Sequence, residues 1–308
     1  FGSSDDGSDC DLSGLFRRRW CTTVGVSLAP GDFVVMTGAA AGVLEEFRRV
    51  LGIVIPLLLQ LGCDRFFKSA TLAFVGQYDP SPEMVASAAL GSMYGSITGL
   101  SLGIGITMAV GSYCAQNYGR GATSENGVVV RHCLTAHGFS FILALAIAHF
   151  SPSLLRAFHQ PEAILEPVRQ FCLIHAFAWP GNWIFMCLNT VLSSQNFQVE
   201  GLVGQALCSS MQFGLSWWFL SHGAGFIGIA YANVIAAWAS VAYMVSHVVA
   251  TGRQGAVWRA PPEVSEAGQL TLWQYLGSAL PMAMSMWVEW WALEIMAVFA
   301  GWLPGRQT

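Results

Sequence analysis

Long apolar segments separated by short polar breaks run through most of the chain. Each segment has at least the ~20 residues that a helix needs to cross a ~30 Å hydrocarbon core at 1.5 Å per residue. The breaks carry proline and charged residues, as in QYDPSPEM (77–84) and FHQPEAILEP (158–167). The pattern predicts seven membrane-spanning helices, at 51–76, 86–114, 127–150, 164–190, 202–221, 226–250 and 272–302.

The composition indicates a membrane environment for these segments. Hydrophobic residues make up 54% of the 308 residues, charged residues make up 10%, and the mean hydropathy is +0.51. A soluble domain normally has roughly a quarter charged residues. We therefore predict an all-α, multi-pass integral membrane protein. The net charge of −4 and the lack of a long basic block give no support for a nucleic-acid partner.

The arginines predict the orientation of the helices. If the N-terminus is cytoplasmic, the cytoplasmic flanks and loops carry most of the arginines, as the positive-inside rule requires. The inner set is Arg17, Arg18, Arg19, Arg48, Arg49, Arg120, Arg131, Arg253 and Arg259, and the outer set is Arg156, Arg169 and Arg306. We predict that residues 1–44, which open on the acidic and Ser/Gly-rich FGSSDDGSD, form a disordered cytoplasmic segment.

The cysteines and histidines show no pattern that is typical of a metal site or a catalytic centre. The eight cysteines are scattered singly without a C-x-x-C motif, and most lie in apolar segments, where we expect buried free thiols. The seven histidines include no H-E-x-x-H motif. We therefore predict no metal, no cofactor and no enzyme activity.

The second predicted span contains four glycines at strict four-residue spacing, Gly91, Gly95, Gly99 and Gly103. On a helix this spacing stacks them on one face as overlapping G-x-x-x-G units, which let a neighbouring helix approach closely. We predict that they pack against another helix. Direct contact with a substrate is the alternative.

The seventh predicted span contains two carboxylates in the stretch WVEWWALEI (287–295). A mid-helix acid costs on the order of 3 kcal/mol to insert, and apolar neighbours at roughly 0.3–0.6 kcal/mol each can offset this cost. No Lys or Arg lies within a turn of Glu289. Because a carboxyl group without a basic partner in a low dielectric favours its neutral form, we predict that Glu289 and Glu294 bind protons.

The two glutamates face different sides of their helix, since a spacing of five residues separates them by about 140°. The face of Glu289 is small and polar, whereas that of Glu294 carries tryptophans whose rings could hold an organic cation by cation–π attraction. The first face holds Ser278, Pro281, Ser285 and Ala292, and the second holds Trp287, Trp290 and Trp291.

Charged residues also interrupt the first predicted span, at Asp64, Arg65 and Lys68. Asp64 and Lys68 are four residues apart and can pair across one helical turn. A neutralised structural pair is one interpretation. A role in a polar pathway is the other, because charges inside a membrane commonly mark functional sites.

Several segments resemble, in the same order, those of the multidrug and toxin extrusion (MATE) transporters. PMAMSMWVEWWALEIMAVFAG (281–301) is similar to the seventh helix of the plant-type members, with their L-E-W-W-x-x-E signature. LEEFRRVLGIVIP (44–56) resembles the entry into the first helix, and GSYCAQNYGRG (111–121) resembles the D-T-L-C-G-Q-A-Y-G-A segment. HQPE (159–162) and GFIGIAYAN (225–233) are similar to the family's G-Q-D-P-E motif and its opening of helix six.

The resemblance implies a fold of two six-helix lobes, related by a pseudo-two-fold axis, with a cavity that opens alternately to either side. The chain would then hold the six-helix N-terminal lobe at 45–250, a cytoplasmic linker at 251–271, and the first helix of the second lobe at 272–303. Five helices of the second lobe would be missing. We therefore expect the chain to be a truncated form that is inactive alone.

The resemblance also implies an antiporter that exports organic cations, xenobiotics or secondary metabolites in exchange for protons, with sodium as the less favoured ion. Glu289 would be the coupling carboxylate, with Glu294 close by. We expect Trp290, Trp291 and Gln116 to contact the substrate. The full-length protein is expected to be a monomer in the plasma membrane or the vacuolar membrane.

The sequence departs from the family pattern at a few positions. Thr71 stands where prokaryotic members place an aspartate in helix one, so that proton route has no support here. Gly111 replaces an aspartate and Glu200 replaces a usual proline. Two alternative functions remain open at this stage, a flippase for lipid-linked substrates of the same superfamily and a seven-helix receptor.

Overall fold

The computed structural model describes residues 32–78, 81–157, 160–259 and 270–302, and within these ranges the regular structure is entirely helical. In chain order the elements are α1 Asp32–Tyr78, α2 Pro82–Gly95, a π-helical segment Ser96–Leu100, α3 Ser101–Gly119, a 3₁₀ turn Thr123–Glu125, α4 Asn126–His149, α5 Ser151–Ala157, α6 Glu162–Ala176, α7 Ala178–Ser194, α8 Gln198–Ser221, α9 Ile227–Ala250, α10 Gln254–Val257 and α11 Leu272–Trp302.

The chain divides into two compact units between Gly52 and Ile53. The described part of the first unit is the beginning of α1, and all contacts below belong to the second unit. Most of the predicted disordered segment lies outside the described residues. Residues 32–44, however, are helical, because the apolar and alanine-rich run after Gly31 contains no proline to interrupt the helix.

Helices occupy all seven of the predicted spans. Four described stretches are long and apolar enough to cross a membrane: Glu45–Tyr78, Glu83–Gly119, Thr123–His149 and Ile227–Ala250. The pair α6 and α7 makes a fifth if it is counted as one bent span. Helices α8 and α11, with 24 and 31 residues, have the length to cross. Glutamine, serine and glutamate side chains in α8, and tryptophan and glutamate in α11, lower their hydropathy.

Helix α11 packs on α3 through one face that carries Tyr275, Ala279 and Ala283, all of them buried. The Tyr275 hydroxyl donates a buried hydrogen bond of 2.7 Å to the carbonyl oxygen of Ile106. A Cβ atom on Gly105 would collide with the backbone of Ala283. The absence of a side chain at Gly105 therefore allows the two helices to approach closely.

The four glycines at four-residue spacing lie against four rings that have the same spacing on the bent pair α6 and α7. Cβ atoms built at Gly91 and Gly95 would lie 2.7 Å from Phe171 and 2.8 Å from His175. The second half of the stripe continues this pattern, with Gly99 against Trp179 and Gly103 against Trp183. We call Phe171, His175, Trp179 and Trp183 the ring ladder.

Two irregularities in helix geometry face each other at the middle of the ring ladder. Helices α6 and α7 meet at Phe177 with a bend of 40°. Pro180 explains this break, because its nitrogen cannot donate to the carbonyl of Ala176 and its ring crowds that carbonyl. On the other side, Gly99 lies in the π-helical segment, a geometry that occurs frequently at functional sites.

Candidate functional site

A cavity of about 600 Å³ lies among α1, α2, α6, α7, α8 and α9, next to the bend and the π-helical segment. Aromatic side chains form part of its wall, at Phe171, Trp179 and Phe185. Polar side chains are set among the apolar ones in the rest of the wall. The polar lining residues are Gln60, Asp64, Arg65, Ser69, Thr71, Ser92, Ser96, His175, Asn182, Asn189, Gln205, Gln212 and Asn233.

Helices α7 and α8 each contribute a polar face to the cavity. Asn182 and Asn189 are seven residues apart on α7, and so are Gln205 and Gln212 on α8. A spacing of seven residues is close to two helical turns and brings both members of a pair to the same side. Carboxamides both donate and accept hydrogen bonds. This wall can therefore bind polar groups of either kind without the cost of burying many charges.

Asp64 is the acidic residue of the cavity wall. Its Oδ1 accepts a hydrogen bond of 3.3 Å from Nε2 of Gln205, and the same Nε2 lies 3.2 Å from the hydroxyl of Ser209. The carboxylate of α1 is thereby joined to α8. The side chain of Lys68, the partner expected from the sequence, lies outside the described residues.

Trp179 lines the cavity with part of its ring, and its indole nitrogen is buried. Its side chain is 1% exposed, and its indole Nε1 has no hydrogen-bond acceptor among the described residues. A buried indole N–H normally finds an acceptor. The nitrogen lies against the glycine face of the neighbouring helix, where a Cβ added at Gly99 would collide with it.

Glu289 lies on α11 outside the cavity and is exposed. It is six residues beyond the buried Ala283, past the end of the contact that α11 makes with α3. The structure describes only some of the other α11 side chains that were predicted to bind a proton or the substrate. Trp291 is 46% exposed, and the side chains of Trp290 and Glu294 lie outside the described residues.

Trp287, which we grouped with Glu294 from the sequence, packs against the core of the helical bundle. Its indole Nε1 is buried and has no partner in the described parts of the chain. The tryptophans of α11 therefore do not share one environment. Trp287 is part of the contact with the bundle, whereas Trp291 is open to the outside of this chain.

Gln116 does not come together with the α11 residues. It is exposed near the end of α3 and does not line the cavity. Tyr113 is hydrogen-bonded to Ser278 at 2.9 Å, while Gly105 touches Ala283, so α3 and α11 run in opposite directions. Gln116 is thus near the start of α11, and Glu289 is beyond the other end of the contact.

Glu200, the residue that departs from the expected proline, belongs to a cluster of charges at the ends of α8 and α9. Its carboxylate is 3.1 Å from Nη1 of Arg253 and 3.8 Å from Nε2 of His247. The Arg253 guanidinium also lies 3.7 Å from the ring centroid of Phe197. The described residues contain no group of three His, Cys, Asp or Glu side chains that could hold a metal ion.

Asp64 and Arg65, which the sequence offered as members of a polar pathway, do line the cavity. Its neutral carboxamides were not predicted, although a signal for them was present. The pairs Asn182/Asn189 and Gln205/Gln212 at seven-residue spacing within apolar helices indicate a polar face. Pro180 in the middle of an apolar segment indicates the bend.

Comparison with known proteins agrees with this architecture. The family model MatE matches residues 56–218. Protein DETOXIFICATION 16 of Arabidopsis thaliana is 24% identical over 279 residues, which cover 87% of this chain and 54% of that protein. Multidrug and toxin extrusion protein 2 of Oryctolagus cuniculus is 24% identical over 222 residues, or 70% of this chain and 36% of that protein.

Solved structures show the same fold. The crystal structure of the eukaryotic MATE transporter AtDTX14 aligns with a TM-score of 0.75 and 18% identity, over 85% of this chain and 57% of that chain. The Vibrio cholerae MATE transporter VcmN in its bent form aligns with a TM-score of 0.67 and 15% identity, over 82% and 56% of the two chains. The chain spans about half the length of these relatives, and the predicted all-α membrane fold is confirmed.

Proposed function

The chain belongs to the MatE family of integral membrane transporters, and from this premise we propose that the whole protein exports organic cations, xenobiotics or secondary metabolites in exchange for protons. Membership of this family confirms the predicted resemblance and the assignment as a transporter rather than an enzyme. Because the family consists of transporters, the alternative function as a seven-helix receptor is dropped. The substrate class and the coupling ion belong to the proposal.

The position of Glu289 carries the proposal. The residue is in an apolar helix, beyond the end of the contact between α11 and α3, and is exposed in this chain. A carboxyl group at such a position can gain and lose a proton without disturbing the helix contacts that hold α11. An acid within a membrane helix is a candidate functional group, since its insertion has to be offset by other residues.

The cavity supports an organic cation as the substrate. Asp64 supplies a negative charge, and the rings of Phe171 and Trp179 offer surfaces that attract a cation or stack on an aromatic substrate. The carboxamides can bind the heteroatoms that such molecules carry. Contacts of a substrate with Trp290, Trp291 and Gln116, and proton binding by Glu294, stay predictions.

Vesicles that contain the full-length transporter test the proposal. An imposed pH gradient should drive export of a cationic dye by the unaltered protein, and Glu289→Gln should abolish it while the protein still inserts. Glu125→Gln, in the half-buried 3₁₀ turn outside the cavity, is the control and should export normally. Export that depends on the pH gradient in Glu289→Gln would contradict the proton site. Export driven by a sodium gradient instead would change the coupling ion.

The same vesicles distinguish the flippase alternative. A flippase would move a lipid-linked phosphate between the leaflets and would not need a cationic dye or a pH gradient. The described wall carries both Asp64 and Arg65, so its charges alone do not decide between a cation and a phosphate, and the experiment does. Movement of a fluorescent lipid-linked phosphate without dye export would therefore contradict the proposed substrate class.

A further inference from the structure

His175 lines the cavity from the last turn of α6, two residues before the bend at Phe177. We propose that His175 is a proton-binding group of the cavity, so that a proton on its imidazole and an organic cation in the cavity exclude each other. This inference rests on the proposed exchange of cations for protons. His175 would then be a second proton-binding group, on a different helix from Glu289.

The imidazole ring is held in place on three sides. Its Nδ1 edge faces Gly95, where an added Cβ would lie 2.8 Å from the nitrogen. The ring of Phe171 lies edge-on at 5.5 Å between centroids, and that of Trp179 is tilted at 6.1 Å. These contacts restrict the positions that the ring can adopt, so a charge on His175 would appear at a defined place in the wall.

The other charged groups of the cavity wall come from α1. They are the carboxylate of Asp64 and the guanidinium of Arg65, and the described lining residues of α2, α3, α7, α8 and α9 are uncharged. Histidine is the side chain whose charge ordinarily changes between about pH 5 and 8. With a neutral imidazole, the described part of the cavity wall carries one acid and one base. Protonation of His175 adds a positive charge.

This additional charge acts directly on a bound cation. Both charges would share a partly enclosed cavity, where an effective dielectric constant near 20 gives a repulsion much larger than in water. Across several ångströms this repulsion lowers the affinity for a monovalent cation by on the order of tenfold. A cation that binds the neutral form therefore displaces a proton from His175, and a proton that binds releases the cation.

Equilibrium binding of tetraphenylphosphonium to the purified full-length transporter tests the inference, because the charge of this probe does not depend on pH. The affinity of the unaltered protein should fall by on the order of tenfold from pH 7.5 to pH 5.5. His175→Gln should lose most of this dependence on pH, and Glu289 accounts for what remains. His222→Gln, which changes an exposed histidine at the end of α8, is the control and should keep the dependence on pH.

Two further variants separate the roles of charge and fold. Asp64→Asn should bind the probe more weakly at both pH values and keep the pH dependence. His175→Phe should retain the ring contacts and lose the pH dependence, which makes the test independent of how well the glutamine variant folds. A full pH dependence in either His175 variant would overturn the inference, as would failure of the unaltered protein to bind the probe at pH 7.5.

The release of protons when the probe binds can be measured first on the unaltered protein. Calorimetry in buffers of different ionisation enthalpy at pH 6.5 should detect release of up to about one proton for each probe molecule bound. Proton release that is lost in His175→Phe and kept in Glu289→Gln supports His175 as the proton-binding group. Release that is lost only in Glu289→Gln contradicts this inference and leaves the proposed function intact, so the two failures are distinguishable.

Discussion

The indole of Trp183 donates a hydrogen bond of 3.2 Å from its Nε1 to the carbonyl oxygen of Gly99. The same ring covers Gly103, one turn further along the chain. The glycine face thus does more than leave space for a neighbour, because one of its carbonyl groups accepts a bond from the ring ladder. Helices in membranes gain little from the hydrophobic effect between them, so close packing and such bonds hold the pair together.

Gly99→Ala should destabilise the transporter, because the added Cβ meets Trp179 in the buried contact. Overpacking of a tight interior costs about 1–3 kcal/mol, and we expect a clearly lower thermal unfolding temperature in detergent. Gly138→Ala is the matched control, since a Cβ at that helical position meets nothing within 4 Å. It should be neutral or stabilising by about 0.5–1 kcal/mol. Equal unfolding temperatures for the two variants would contradict the packing role.

The outline of the fold could be predicted because its signals are local. A run of about 20 apolar residues identifies a membrane helix wherever that helix packs, and the glycine repeat identifies a packing face. The partner of that face could not be predicted. The residues of the ring ladder share the four-residue spacing. They lie on both sides of a helix break, however, and belong to a segment that is apolar along most of its length.

The site was predicted less completely, for a related reason. Glu289 stands out because a charge in an apolar run is rare, whereas the carboxamides of the cavity carry no charge and attract little notice. Gln116 is the opposite case, a residue that was predicted to bind the substrate but does not line the cavity. Its place in a motif gave no information on where its side chain would lie. Its distance from Glu289 follows from the antiparallel packing of α3 and α11, which is a tertiary property.

Pro180→Ala should straighten the junction between α6 and α7. Alanine restores an N–H that can donate to the carbonyl of Ala176 and removes the ring that crowds it. We expect equal or higher thermal stability together with reduced dye export, because the bend shapes the cavity wall at His175 and Trp179. Pro152→Ala, in the first turn of α5 where proline is tolerated, is the control. Unchanged export in Pro180→Ala would show that the bend is dispensable.

Tyr275→Phe should weaken the attachment of α11 to α3. The change removes the buried hydroxyl that donates to the Ile106 carbonyl over 2.7 Å, and loss of a single buried hydrogen bond costs about 1 kcal/mol. Hydrogen exchange of the backbone amides in residues 272–283 should become faster. Tyr78→Phe removes an exposed hydroxyl near the end of α1 and serves as the control. Similar rates of amide hydrogen exchange in both variants would contradict the role of this hydrogen bond in holding α11 on α3.

The pair Glu200 and Arg253 should couple energetically in a double-mutant cycle. Their side chains are 16% and 28% exposed, and the guanidinium is also held over Phe197, so less side-chain entropy is lost than in a free surface pair. We expect Glu200→Gln and Arg253→Gln each to lower thermal stability, with a coupling free energy of about 1 kcal/mol. The exposed pair Arg156 and Glu162, 2.7 Å apart, gives the comparison. Because solvent screens that pair, its coupling should be too small to measure, and a larger coupling there than at Glu200 would contradict the argument from burial.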